Sequence, residues 1–204
     1  VSNVFRGTPL QFFDISQKAF DTMALLSLPI IAGGYLLGQK IMILVAGKEF
    51  ILAGNVLQIL AIAITCIFLS NVFTHIIIAI DRQKTMMYGF MFVATISLVG
   101  YIVLIPRFSY WAAAWITVCA EAAILFISAA IVASATKFVP NMIAVKKSLL
   151  ATSVMAGVIV LLNRSYVHVL IILPIASVVY FCALYMFKGI SKEFLTEVLR
   201  VKKK

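Results

Sequence analysis

The sequence predicts an all-α integral membrane protein with six transmembrane helices, and three observations carry that prediction. Hydrophobic residues make up 64% of the 204 and charged residues only 12%, too few charges to clothe a soluble domain of this length in water. Apolar runs recur at about the 20 residues that cross roughly 30 Å of hydrocarbon, and short turns separate them. The mean hydropathy is +1.12. The alternating pattern of barrel strands is missing, and open strands would leave their backbone unsatisfied in lipid, so helices remain.

Residues 1–21 mix Phe5, Leu10, Phe12, Phe13 and Ile15 with polar side chains, and the stretch reads as a cytoplasmic interfacial approach. The first expected span, 22–46, contains Pro29, Gly33 and Gly34, with Gln39 and Lys40 near its far end. The second is 52–80, the third 86–105 and the fourth 110–135. Only Pro106 to Ser109 separates the third from the fourth, so these two must fold back as a hairpin. The fifth, 148–162, is short, and the sixth, 167–187, has Pro174 at its centre. Residues 22–188 thus form a six-helix membrane lobe. Residues 189–204 form a basic cytoplasmic tail, whose apolar residues at helical spacing suit a helix lying on an anionic leaflet.

The formal net charge is +10, but the basic residues sit in turns and in the tail rather than along one polar face. That pattern records topology and gives no reason to expect nucleic acid as a partner. With six spans, 13 of the 17 Lys and Arg fall on the side that holds both chain ends and 4 on the other. The excess places both ends in the cytoplasm, and the chain is expected as a multi-pass protein of the cell's inner (cytoplasmic) membrane. Cys66, Cys119 and Cys182 lie within apolar runs and read as small packing residues.

An ionisable group within a span is expensive, which makes each one a functional candidate. Glu121 lies near mid-depth of the fourth span among alanines. Two readings weigh equally for it: a protonatable or cation-binding carboxylate facing a cavity, and a carboxyl hydrogen-bonded between helices. Asn71 and His75 share a face of the second span with Ser70 and Thr74 nearby, as a substrate-contacting patch or as interhelical hydrogen bonding. Lys40 either snorkels to the interface or lines a cavity for an anionic diphosphate. Asp81, Arg82 and Lys84 form a cytoplasmic turn, as topological anchor or as gating ion pair. Arg107 stands beside Pro106 on the basic-poor side, tying the turn or meeting phosphate. No nucleophile with a paired base, no carboxylate cluster, no metal-ligand spacing and no phosphate loop is present in the sequence, so neither an enzyme nor a bound cofactor is expected.

Several stretches together resemble one family. They are LPI at 28–30, AGKEF at 46–50, VLQILAIAI at 56–64, LSNVFTHIIIAIDRQK at 69–84 and IPRFSYWAAAWITVCAE at 105–121. In order and spacing, over about 22–135, they resemble the C-terminal lobe of the polysaccharide flippases. These are Wzx-like exporters of lipid-linked oligosaccharide, in the superfamily of the multidrug and toxic-compound extruders. Trp111-Ala112 departs from the family's small pair. The resemblance implies one part of a transporter of about 12–14 helices that moves an undecaprenyl-diphosphate-linked glycan to the outer leaflet. It also implies a separate N-terminal lobe as partner, and coupling to a proton or sodium gradient through Glu121. The chain opens on Val1, and a preceding lobe is expected. The alternatives are a cation-coupled drug extruder of the same superfamily, a membrane scaffold without transport, and, as an enzyme, a glycan polymerase with larger external loops.

Overall fold

A computed structural model of the chain describes residues 9–164 and 167–187. Among them the fold is five α-helices: α1 (Pro9–Ala46), α2 (Ile51–Ala79), α3 (Gln83–Thr136), α4 (Ile143–Arg164) and α5 (Val169–Met186). A single 3-10 turn, Lys48–Phe50, joins α1 to α2. All five helices are long and apolar enough to cross a membrane. The expected interfacial stretch is, from Pro9 on, the first part of α1. Residues 1–8 and the tail expected at 189–204 lie outside the described residues.

The expectation of six separate helices is corrected to five, because the expected third and fourth form one 54-residue element, α3, that folds back on itself at Ser109. The reason is the economy of its bend. Ser109 alone inside α3 leaves helical geometry, with φ 54° and ψ −143°, and Pro106 just before it supplies no N–H to the ladder. On either side the two halves run antiparallel. Tyr101 donates to the Thr117 hydroxyl at 3.1 Å, since the Thr117 hydrogen already goes to the Ala113 carbonyl. A Cβ placed on Gly89 or Gly100 would meet Ile127 or Ile116 at 2.9 and 3.4 Å. So α3 is a hairpin whose turn takes one residue.

α1 and α2 form a second antiparallel pair, turned by Gly47, whose φ of 100° suits only glycine. Their contact depends on small residues that let backbones touch. A Cβ on Gly54 would fall 2.4 Å from the Gln39 Cα, one on Gly38 would fall 2.9 Å from the Gly54 carbonyl, and one on Gly34 would fall 2.8 Å from the Ala61 Cβ. Side-chain amides stitch the same seam: Gln39 donates to Asn55 at 2.6 Å and Gln58 to the Tyr35 carbonyl at 2.8 Å.

α4 and α5 close on α1 through a core of Leu37, Ala151, Ile159, Ile172, Tyr180 and Leu184. One polar tie holds this core together. Pro29 inside α1 has no N–H for the carbonyl four residues back, that of Leu25. Tyr180 of α5 donates its hydroxyl to this carbonyl at 2.6 Å. Its proton being committed, the phenol oxygen accepts from Ser148 of α4 at 2.8 Å. A second cluster, including Phe20, Phe73, Ile77, Met86, Val132 and Phe138, joins α1, α2, α3 and the loop after α3 near the opposite end of α2 from Gly54.

Gly54→Ala is expected to lower thermal stability by about 1–3 kcal/mol or to prevent folding, because its Cβ meets backbone. Gly33→Ala, whose Cβ has nothing within 4 Å, is expected to keep or raise the unfolding midpoint in detergent. Tyr180→Phe leaves the Leu25 carbonyl unbonded in an apolar core and is expected to cost about 1–3 kcal/mol. Adding Pro29→Ala restores an N–H for that carbonyl, so the double variant should recover most of the loss in the same measurement.

Candidate functional site: polar groups at membrane depth

The antiparallel order sets the two ends of the bundle. The start of α1, the α2–α3 turn and the α3–α4 loop meet at one end. Phe13 stacks on Phe138 at 5.9 Å, and Phe20 lies 5.9 Å from Phe73. The Gln17 amide pairs with the Asn141 backbone as one peptide group does with another: it donates to the carbonyl at 3.0 Å and accepts from the N–H at 2.8 Å. This end carries Lys18, Arg82, Lys84, Lys137, Lys146 and Lys147, while Lys40, Lys48, Arg107 and Arg164 belong to the other half of the bundle.

Asn71 and His75 are exposed on the outer stripe of α2, about two turns and one turn before its end. They line a groove of about 390 Å³ whose other wall is α1, with Phe12, Ile15, Ser16, Ala19 and Met23. Neither side chain has a hydrogen-bond partner among the described residues. Ser70 and Thr74, grouped with them by sequence, behave differently. Each hydroxyl donates to a carbonyl of its own helix, Ser70 to Ile67 at 3.1 Å and Thr74 to Ser70 at 2.9 Å. The patch therefore reduces to Asn71 and His75.

Glu121 is half-buried on the second half of α3, within electrostatic reach of the Cys66 thiol on α2. It does not line the groove of Asn71 and His75. A helical turn of 100° per residue puts Cys66 and Asn71 on well-separated faces of α2, so the two polar features address different neighbours. Lys40 is half-buried beside the Gln39–Asn55 bond, toward the far end of α1.

Asp81, Arg82 and Lys84 are all exposed at the α2–α3 turn. Asp81 takes the left-handed conformation there (φ 58°), which a short polar side chain tolerates, and its carboxylate accepts from Gln83 at 3.1 Å. Asp81 and Arg82 form the turn, and Lys84 lies in the first turn of α3. Arg107 is exposed two residues before the Ser109 bend. Among the described residues no group of three or more His, Cys, Asp or Glu could hold a metal ion.

Sequence reasoning missed Gln17, Tyr180 and the Gln39–Asn55–Gln58 stitches. Only Tyr180 left a trace that could be followed: Pro29 in a buried helix demands a donor for the Leu25 carbonyl, though the sequence does not say which residue supplies it. No protein-family model, no curated protein and no solved structure matches the chain.

Proposed function

We propose that the chain is one lobe of a multi-pass membrane transporter that moves a lipid-linked oligosaccharide across the bacterial inner membrane, with both ends cytoplasmic. The single observation that carries this reading is the groove between α1 and α2. There Asn71 and His75 stand exposed and unbonded among residues otherwise suited to lipid. Hydrocarbon penalises such groups by several kcal/mol, so this face fits water, sugar hydroxyls or a second polar surface better than acyl chains. An undecaprenyl-diphosphate-linked glycan supplies the hydroxyls, while its prenyl chain stays in the bilayer. The resemblance of residues 22–135 to the polysaccharide flippases supports the same substrate class, and an N-terminal lobe would cover the open groove.

Within this reading Glu121 is the coupling carboxylate. It stands half-buried near the middle of the second half of α3, which packs against α2, and taking up a proton or Na⁺ there changes the charge that one helix presents to the other. The basic end of the bundle faces the cytoplasm by the excess of Lys and Arg.

Topology and coupling are separately testable. In intact cells of a cysteine-free background, Lys48→Cys is expected to react with a membrane-impermeant maleimide. Lys84→Cys should react only after permeabilisation, and the reverse pattern would overturn the orientation. In proteoliposomes holding the full-length transporter and a fluorescent lipid-linked oligosaccharide, Glu121→Gln is expected to slow gradient-driven transport about 5–150-fold, the usual range of a coupling energy. Normal gradient-driven transport by that variant would remove Glu121 from the mechanism. His75→Leu with Asn71→Leu is expected to raise KM while kcat changes less.

A further inference from the structure

The α3 hairpin carries a second, open concavity, distinct from the groove of Asn71 and His75. It measures about 670 Å³ and runs along both halves of the hairpin, from Phe92 to Phe108 and back from Trp111 to Ile127. Its volume falls within the range of ligand pockets, roughly 300–1,000 Å³. Gly100, Ala120 and Ala123 contribute to it with almost no side-chain bulk, and Phe92, Phe108 and Trp115 are 63%, 60% and 52% exposed along it. Of all the residues around it, only Ser97 and Cys119 have polar side-chain atoms other than the tryptophan N–H groups. The small residues make the surface concave where two ordinary helices would present a ridge.

One end of this channel is chemically different. At the Ser109 bend, Arg107 stands exposed next to Phe108, and Tyr110, Trp111 and Trp115 follow within two turns. Amphipathic aromatics with a neighbouring cation mark the depth of lipid head groups. An exposed Arg one residue from Phe108, which lines the channel, complements a phosphodiester with hydrocarbon attached: fork-shaped donors for the phosphate, and a slot for the chain.

We propose that the α3 hairpin is a binding site for an anionic phospholipid, with one acyl chain in the open channel along the seam of its two halves and the phosphate on Arg107. This rests on the membrane location proposed above and is independent of transport. The site would keep one lipid on the hairpin while its neighbours exchange.

The chain's two tryptophans, Trp111 and Trp115, both line the channel, so intrinsic fluorescence reports on it directly. The full chain is reconstituted in phosphatidylcholine vesicles, and phosphatidylglycerol or phosphatidylcholine with dibrominated acyl chains is titrated in as quencher. Brominated phosphatidylglycerol is expected to quench at about fivefold lower mole fraction, the preference that one basic residue at a charged surface provides. Arg107→Gln, a change at an exposed position, should erase that preference. Ala120→Leu, which fills the channel, should weaken quenching by phosphatidylglycerol while leaving quenching by phosphatidylcholine near its original level. Equal quenching by the two lipids, unaffected by either substitution, would mean that the tryptophans meet only bulk lipid and would overturn the site while leaving the membrane location intact. No quenching by either lipid would overturn both.

Discussion

The hydrogen bond from Tyr180 to the Leu25 carbonyl is the constraint on which the α1–α4–α5 half of the bundle depends. Proline in a water-exposed helix frees a carbonyl that solvent satisfies. Proline in a lipid-embedded helix frees one that only another helix can satisfy. Pro29 therefore dictates that a donor arrive at one depth and one face of α1, and Tyr180 supplies it from α5 with Ser148 of α4 accommodating the phenol oxygen. Three helices are put in register by a single missing N–H. The surrounding leucines and isoleucines fill the space, but apolar contact alone accepts many registers and this bond accepts one.

The other half of the bundle is specified by what is absent from its side chains. Gly34, Gly38 and Gly54 bring α1 against α2 until backbone meets backbone. At such a distance dispersion and amide stitches such as Gln39–Asn55 replace the hydrophobic effect, which lipid does not supply between helices. The two halves thus use opposite devices, a directed polar bond on one side and close small-residue contact on the other, and α1 takes part in both. That double role explains why α1 is long, running from Pro9 to Ala46, and why its Pro and Gly residues do not interrupt it.

Much of this was legible in the chain. Helix after helix of lipid-compatible length follows from composition, and the hairpin at Pro106–Ser109 follows from the brevity of its turn. What the sequence did not reveal was how abrupt that bend is: one residue, with helix running up to it on both sides. Such a bend is set by φ and ψ at Ser109, which no residue type there dictates. Nor did it separate Ser70 and Thr74 from Asn71 and His75. All four are polar, but hydroxyls bond their own helix at i−3 or i−4 whereas amide and imidazole groups reach outward. Nor could it tell Gly34, which meets Ala61, from Gly33, which meets nothing, since a glycine's role depends on what lies opposite it. Glu121 was legible as an anomaly, while the helix it faces lay beyond reach of any spacing argument.

The Ser109 bend also bears on how the chain enters a membrane. Two apolar halves joined by one residue cannot be delivered separately: once the first has crossed, the second is already at the far surface with no slack to wait there. Tyr101 and Thr117, each polar enough to burden a lone helix, meet each other only when both halves are side by side. The hairpin is therefore a unit of insertion as well as a unit of structure. A tag or loop spliced at 108–110 would separate the halves in time before it separated them in space.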